Sequence, residues 1–292
     1  MKKKKSKYPL IMLKSLKNQI VSGRHQRPIL SDVFYKKNTL QKPVIIFCHG
    51  YKGFKDWGAW NLVAKHFASE GYFFIKFNFS HNGGTIEHPI DFPDLEAFSK
   101  NNYIKELDDL QSVIDWVISE KFPFKNQVSD NISLIGHSRG GGIAVIKAAE
   151  TSNINNIITW AGVSDYASRF PSGIALEKWE ENRIMYITNG RTKQRMPHEF
   201  QFYTNFKNNE EYLTISRATK ALQIPHLIIH GTADHSVKLE EAKLLHEWNP
   251  NSTLKTIKDA NHVFGAKHPW TSKTLPEELK QISIISMKFI NN

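Results

Sequence analysis

A serine flanked by glycines, in Gly136-x-Ser138-x-Gly140, is the feature of this sequence with the clearest chemical meaning. The apolar run at residues 132–135 favours a buried strand, and the small residues after it favour a helix. A strand that turns directly into a helix leaves almost no space two positions before and after its apex, which explains both glycines. The turn exposes the hydroxyl, and the helix directs free N–H groups towards the reacting atom. Ser138 is a candidate nucleophile; the alternative is a glycine-rich turn with an inert serine.

An activated serine needs a base to take its proton and an acid to orient that base. Asp234 lies just beyond an apolar strand predicted at residues 225–230, and His262 lies beyond a strand predicted at residues 252–257. The chain order serine, aspartate, histidine is the one that accompanies a strand–serine–helix turn. We predict that Ser138 is the nucleophile, His262 the general base and Asp234 the acid that orients it.

Other residues could fill two of these positions. Asp165 follows the preceding strand and is an alternative acid, because the acid need only reach the imidazole. Asp259 is closer to His262 in sequence but is expected to orient its own loop. Of the 13 histidines, His246 falls within a predicted helix and His268 precedes a proline, so His262 is the favoured base.

Attack on a carbonyl creates an oxyanion, which needs preorganised hydrogen-bond donors. The backbone N–H of Arg139, at the start of the predicted helix, is one candidate. The backbone N–H of Tyr51 is the other, in the loop after the apolar run at residues 43–48, where Gly50 allows a close approach. A tight turn at His49-Gly50 without this role is the alternative.

Strands and helices alternate along most of the chain. This alternation predicts an α/β fold, with a mostly parallel central sheet, helices on both faces and ligands at the carboxyl ends of the strands. Strands are also predicted at residues 11–21, 28–34, 72–79 and 154–160, helices at 59–69, 103–119, 239–248 and 275–289, and a loop at 85–101.

One domain is expected over residues 1–292, with a lid inserted at residues 166–220 and a disordered basic tail at residues 1–8. The insertion is polar and aromatic and contains only short helical candidates. Its aromatic residues could line a substrate pocket or hold the lid down, and both interpretations stay open. A basic loop within it could attract a carboxylate-bearing substrate, although an ordinary solvated loop is favoured; its cations are Arg191, Lys193 and Arg195.

The composition limits the function classes. The net charge of +11 includes four lysines at residues 2–5, and the other cations are scattered without a nucleic-acid motif, so no nucleic-acid partner is expected. No apolar run approaches the roughly 20 residues that span a bilayer, and the N-terminal region lacks a signal-peptide pattern. The single cysteine, Cys48, fits a reducing compartment. A cytoplasmic location without a membrane partner is expected.

From about residue 40 to its end, the chain resembles proteins of the α/β-hydrolase fold. Four segments correspond to that family's oxyanion loop, nucleophile, acid and base: His49-Gly50-Tyr51-Lys52-Gly53, Gly136-His137-Ser138-Arg139-Gly140-Gly141, Gly231-Thr232-Ala233-Asp234 and Asn261-His262. The similarity is greatest to serine esterases of the dienelactone-hydrolase and cinnamoyl or feruloyl esterase type, and to prolyl-oligopeptidase-like catalytic domains. Dienelactone hydrolases proper carry a cysteine at the nucleophile position, so the serine here implies esterase chemistry.

The resemblance implies acyl transfer to and from Ser138 with neither a metal nor an organic cofactor. A carboxylic-ester hydrolase acting on a small-molecule ester is expected. A peptidase or thioesterase with the same three residues is the alternative within enzymes, and a ligand-binding protein with a non-catalytic site is the alternative outside them. A homodimer is a further open expectation.

Overall fold

A computed structural model describes residues 12–292 of the chain. The predicted basic tail at residues 1–8 and the predicted start of the first strand at Ile11 lie outside the described residues.

A central sheet of eight strands, all within residues 12–292, organises the fold. The strands are β1 (Leu13–Ser22), β2 (Pro28–Lys36), β3 (Lys42–Cys48), β4 (Phe73–Phe77), β5 (Val128–His137), β6 (Asn156–Trp160), β9 (His226–Gly231) and β10 (Thr253–Ile257). Their spatial order is β1-β2-β4-β3-β5-β6-β9-β10, and every neighbouring pair from β4 to β10 is parallel, whereas β2 is antiparallel to β1 and β4. The predicted α/β class is confirmed.

Helices cover both faces of the sheet. The helices are α1 (Trp60–Ser69), α2 (Leu95–Ser99), α3 (Tyr103–Ile118), α4 (Arg139–Glu150), α5 (Ile174–Asn182), α6 (Gln201–Asn208), α7 (Glu210–Leu213), α8 (Ile215–Ala221), α9 (Leu239–Trp248) and α10 (Glu277–Ile290). One core contains Val44 and Ile46 together with helices α3, α4, α8 and α9, and the other contains Ile45 and Phe47 together with α1 and α10. Successive residues of β3 thus point to opposite faces, which is why the strand is apolar at every position between them.

The predicted loop at residues 85–101 is wrong over its last part, because α2 forms there. Asp94 caps this helix by accepting a hydrogen bond from the Ala97 N–H at 2.9 Å. The insertion contains more than short helices, since β7 (Ile184–Thr188) and β8 (Arg195–Glu199) form an antiparallel hairpin within it.

A largely buried charge network holds the loop after β3 against strands β2 and β4. Asp32 of β2 forms ion pairs with Lys76 of β4 at 2.6 Å and with Lys55 of the loop at 3.0 Å. Asp56, the next residue of the loop, pairs with the same two lysines at 2.7 and 2.5 Å. Since Asp32, Lys55 and Lys76 are almost fully buried, each charge depends on its partners.

No helix within residues 12–292 combines the length and the apolar character needed to cross a membrane.

Replacing Asp32 by Asn should lower the free energy of unfolding by about 3 kcal/mol or more, because it leaves buried lysines with one carboxylate fewer. Urea unfolding measures the loss. Glu240→Gln is the control: the Glu240 side chain is 70% exposed and lies 3.8 Å from Lys243, which is 60% exposed, so its loss should stay below about 1 kcal/mol. Equal losses in the two variants would contradict the argument.

Candidate active site

Ser138 occupies the apex between β5 and α4. Its backbone lies in a strained conformation, with φ 56° and ψ −122°, a region that L-residues avoid and that marks functional sites when the surrounding structure enforces it. Here the enforcement comes from the next strand: the Ser138 N–H donates to Trp160 O at 3.0 Å, and the Ser138 carbonyl accepts from Val163 N at 3.2 Å.

The glycines around Ser138 let three backbone segments meet. A Cβ at Gly136 would lie 2.3 Å from the Gly140 carbonyl oxygen, and one at Gly140 would lie 2.5 Å from the carbonyl oxygens of both Cys48 and His49. A Cβ at Gly50 would lie 2.9 Å from that of Ser138. The missing side chains therefore bring the loop after β3 directly against the serine.

The two proposed oxyanion donors lie beside this apex. Arg139 is the first residue of α4, where the N–H groups have no intrahelical acceptor. Among the hydrogen bonds of residues 12–292, neither the Arg139 nor the Tyr51 backbone N–H has an acceptor. Both groups are thus free to bind a developing negative charge.

The structure brings His262 and Asp234 together. The distance between His262 Nδ1 and Asp234 Oδ2 is 2.8 Å, and the Asp234 side chain is fully buried. The other carboxylate oxygen of Asp234 accepts from the backbone N–H groups of Ser236 and Val237 at 2.8 and 3.0 Å.

The surroundings keep Asp234 ionised. Burial alone would raise the pKa of its carboxyl, but hydrogen bonds from His230, His262 and the Val237 N–H outweigh burial and hold that pKa below its usual range. An ionised Asp234 fixes the proton of His262 on Nδ1 and leaves Nε2 with a lone pair.

Two further histidines position this pair, and neither is predicted from the sequence. His137 Nε2 lies 2.9 Å from the backbone carbonyl of His262, and His230 Nε2 lies 2.8 Å from the Val237 carbonyl. Burial, together with the neighbouring His262, lowers the pKa of His137 to about 3, so His137 is neutral and its Nε2–H donates. His137 directly precedes Ser138 in the sequence, and His230 Nε2 lies 3.4 Å from Asp234 Oδ2. The hydrogen-bond partner of each histidine is a backbone carbonyl that only the tertiary structure reveals.

Ser138 and His262 line the same two cavities. The larger, of about 570 Å³, is bounded mainly by residues 163–202, and the smaller, of about 260 Å³, by the loop after β3 and residues Asn189 and Arg191. The hydrogen bonds between described residues include none from Ser138 Oγ to His262 Nε2, although both residues line the same cavities.

The alternative acids and bases have other surroundings. Asp165 accepts hydrogen bonds from Ala167 N and Ser168 N. Asp259 is exposed, and its backbone N–H donates to Thr232 Oγ1. His246 Nδ1 lies 2.7 Å from Ser252 Oγ, and His268 Nδ1 accepts from the Gly58 N–H at 2.8 Å.

Some aromatic residues of the insertion line a cavity, and others are buried within the insertion. Phe170 and Phe202 line the larger cavity, whereas Trp179 and Phe200 are buried and pack against each other with ring centroids 5.5 Å apart. The Tyr51 hydroxyl joins the insertion to the loop after β3 through a 2.7 Å hydrogen bond with His198 Nε2.

Of the three cations in the basic loop of the insertion, one lines a cavity and two do not. Arg191 lines the smaller cavity and pairs with Asp91. Arg195 lies outside both cavities, with its guanidinium 4.4 Å from the centre of the Tyr186 ring, and Lys193 is largely exposed.

Within residues 12–292, no cluster of three or more His, Cys, Asp or Glu side chains could hold a metal ion.

A profile of the BD-FAE family matches residues 31–249. The chain belongs to the BD-FAE family. Among curated proteins, it is similar to the "Uncharacterized peptidase YtmA" of Bacillus subtilis, with 29% identity over 123 residues, and the match spans 42% of each chain. BD-FAE membership agrees with the α/β-hydrolase resemblance.

Solved structures of related fold cover nearly the whole chain. Est1E from Butyrivibrio proteoclasticus, in a complex with ferulic acid, matches with a TM-score of 0.70 and 18% identity over 94% of this chain and 98% of its own. A dienelactone hydrolase from Anabaena variabilis gives 0.60 and 14% over 96% and 97%. A puromycin-hydrolyzing peptidase of Mycobacterium tuberculosis gives 0.64 and 15% over 97% of this chain and 39% of its own. At these identities the likenesses establish the α/β-hydrolase fold.

The close backbone packing gives a direct prediction for Gly140→Ala. The added methyl would lie 2.5 Å from two carbonyl oxygens, so the variant should lose about 1–3 kcal/mol of unfolding free energy. Gly190→Ala is the matched control, because nothing lies within 4 Å of its Cβ position, and it should be neutral or slightly stabilising. Chemical denaturation compares them; a neutral Gly140→Ala would show that the loop and helix are not in close contact.

Asp234 also gives a pH prediction. A carboxyl whose folded pKa is lowered stabilises the protein above its unfolded-state value, about 3.9, and that stabilisation is lost as the pH falls. The difference in unfolding free energy between the wild type and Asp234→Asn should therefore narrow below about pH 4. Urea unfolding from pH 3 to 8 measures it. Asp130→Asn, at an exposed position, should differ little from the wild type throughout, and a gap that widens towards low pH would refute the charge argument.

Proposed function

We propose that this chain hydrolyses carboxylic esters by acyl transfer through Ser138. The observation that carries the proposal is a serine hydroxyl held at a strained apex, in a cavity shared with a histidine whose Nδ1 lies 2.8 Å from a buried carboxylate. That combination makes a weak nucleophile reactive, because the base is present in the tautomer that can accept the serine proton.

The reaction proceeds in two halves. Ser138 Oγ attacks the ester carbonyl while His262 Nε2 takes its proton, and the backbone N–H groups of Tyr51 and Arg139 bind the oxyanion. His262 then donates the proton to the departing alcohol, which leaves an acyl group on Ser138. Water, deprotonated by His262, attacks this acyl-enzyme, and the acid is released with Ser138 restored. Asp234 stays ionised and stabilises the imidazolium in both halves.

The relatives support an ester or a peptide as substrate. Est1E binds ferulic acid and the Anabaena variabilis protein is a dienelactone hydrolase, whereas YtmA and the Mycobacterium tuberculosis protein are named peptidases. We favour an ester because the larger cavity has a volume of about 570 Å³ and is lined by aromatic rings as well as polar groups. Residues 166–220 supply eight of the residues lining it, and we propose that this insertion serves as a lid over Ser138.

A fluorophosphonate probe should label the wild-type protein at Ser138 and should not label Ser138→Ala. The chain offers a matched control in Ser80, whose hydroxyl lies 2.8 Å from His81 Nδ1 in a buried position away from both cavities of Ser138. Ser80→Ala should label like the wild type. If the folded wild-type protein stayed unlabelled, or Ser138→Ala remained labelled, the proposed nucleophile would be wrong.

A panel of substrates decides which bond is cleaved. A panel that pairs an aryl ester with the corresponding thioester and anilide should give its highest kcat/KM for the ester. His262→Ala should lower kcat by about 10³-fold or more, as loss of the base does in enzymes of this mechanism. A higher kcat/KM for the anilide would assign the chain to peptidases instead.

A further inference from the structure

The larger cavity beside Ser138 is lined by cations without lining acids. Its charged residues are Lys52, Arg139 and Arg169, and no aspartate or glutamate is among the residues that bound it. Arg169 is neutralised by Glu241, which its Nη2 contacts at 2.5 and 2.6 Å. Lys52 forms no ion pair with any residue in the described part of the chain. The cavity therefore carries excess positive charge.

Arg139 is held rigidly in this cavity. Its guanidinium carbon lies 4.3 Å from the centre of the Tyr51 ring and 5.2 and 5.3 Å from those of Tyr103 and Phe202. Only 14% of the side chain is exposed. Stacking of this kind fixes the plane of the guanidinium before a ligand arrives, so little conformational entropy is lost on binding.

Most of the hydrogen-bonding capacity of Arg139 is unused. Its Nη1 contacts Glu106 Oε1 at 3.2 Å, and that oxygen also accepts from Asn101 at 2.7 Å. Nε and Nη2 have no acceptor among the described residues, yet neither is among the atoms sealed from solvent. Of the five N–H donors of the guanidinium, those on Nε and Nη2 therefore remain available to a ligand in the cavity that Arg139 lines.

The neighbouring side chains experience the same positive field. Burial, followed by the charges of Arg139 and Lys52, lowers the pKa of His198 to about 3. Glu106 pairs with only one of these two cations, Arg139, at 3.2 Å, so Lys52 stays without a counter-charge among the described residues. A carboxylate in the cavity would gain two charge-assisted hydrogen bonds from the free edge of the guanidinium.

We propose that the preferred substrate is an ester whose cavity-bound part carries a carboxylate on a flat, apolar body, and that Arg139 is the residue that selects it. The proposal rests on the proposed ester hydrolysis and specifies its substrate class. The rings of Tyr103, Phe170 and Phe202 line the cavity for the apolar body. The backbone N–H of Arg139 and its side chain would thus serve different parts of one substrate.

Two matched ester pairs test the proposal, each comparing a carboxylate with a carboxamide of nearly the same shape. The first pair is 4-nitrophenyl 4-carboxybenzoate and 4-nitrophenyl 4-carbamoylbenzoate, with the charge in the acyl part. The second is 4-carboxyphenyl acetate and 4-carbamoylphenyl acetate, with the charge in the alcohol part. In at least one pair, kcat/KM should favour the carboxylate by about tenfold or more, as expected for hydrogen bonds to a charged group.

Arg139→Gln should reduce that preference to about one, and Arg139→Lys should keep only part of it because the two-pronged geometry is lost. The double variant Glu106→Gln with Arg139→Gln removes the buried pair together and guards against misfolding. Arg195→Gln removes an equal charge outside both cavities and should leave the preference unchanged. A wild-type preference near one in both pairs, or one that Arg139→Gln leaves intact, would overturn the proposal.

A binding measurement separates this proposal from the ester hydrolysis on which it rests. Calorimetry on Ser138→Ala should show benzoate binding at least about tenfold more tightly than benzamide, with the difference lost when Arg139→Gln is added. If no ester is cleaved but benzoate is preferred, the anion site stands and the proposed reaction fails. If esters are cleaved and benzoate has no advantage, the reaction stands and the anion site is refuted.

Discussion

The organising constraint of this protein is the close contact of three backbone segments around Ser138. The end of β5, the start of α4 and the loop after β3 approach so closely that a single Cβ at Gly136 or Gly140 would collide with carbonyl oxygens. Interiors at this density cannot adjust locally. The strained φ of Ser138, the position of the Tyr51 N–H and the aim of the α4 N-terminus therefore depend on one packing arrangement, and the buried charges at Lys55 and Asp56 hold the loop against it.

The loops that carry Asp234 and His262 are connected to the backbone around Ser138 through a histidine. His137, one residue before the serine, bonds to the His262 carbonyl, while a Cβ at Gly231 would lie 2.2 Å from the Ala260 carbonyl oxygen, so the β9 and β10 loops are also in backbone contact. Burial keeps His137 and His198 neutral, each with a pKa of about 3. These rings can therefore donate or accept fixed hydrogen bonds near a cationic cavity without adding charge at neutral pH.

The sequence allowed the fold and the core of the site to be predicted because both depend on local patterns. An apolar run covered on two faces, followed by Gly, His or Asp, locates a strand end, and the ends of parallel strands meet at one edge of the sheet. Asp234 and His262 could be paired on that basis alone. The β7–β8 hairpin had a local signal as well, since residues 184–188 are rich in β-branched and aromatic side chains and lead into Asn189-Gly190.

The features that could not be predicted depend on side-chain contacts between residues that are far apart in the sequence. The stacking of Arg139 among Tyr51, Tyr103 and Phe202 joins residues from three separate parts of the chain, and no spacing in the sequence distinguishes it from a solvated arginine. The sequence directed attention to the cations at 191–195, yet Arg191 is paired with Asp91 and Arg195 lies outside the cavities. The residues of the proposed acyl transfer are placed by backbone contacts that are the same for every substrate. Under that proposal, selectivity comes from side chains contributed by the insertion and from Arg139, which directly follows Ser138.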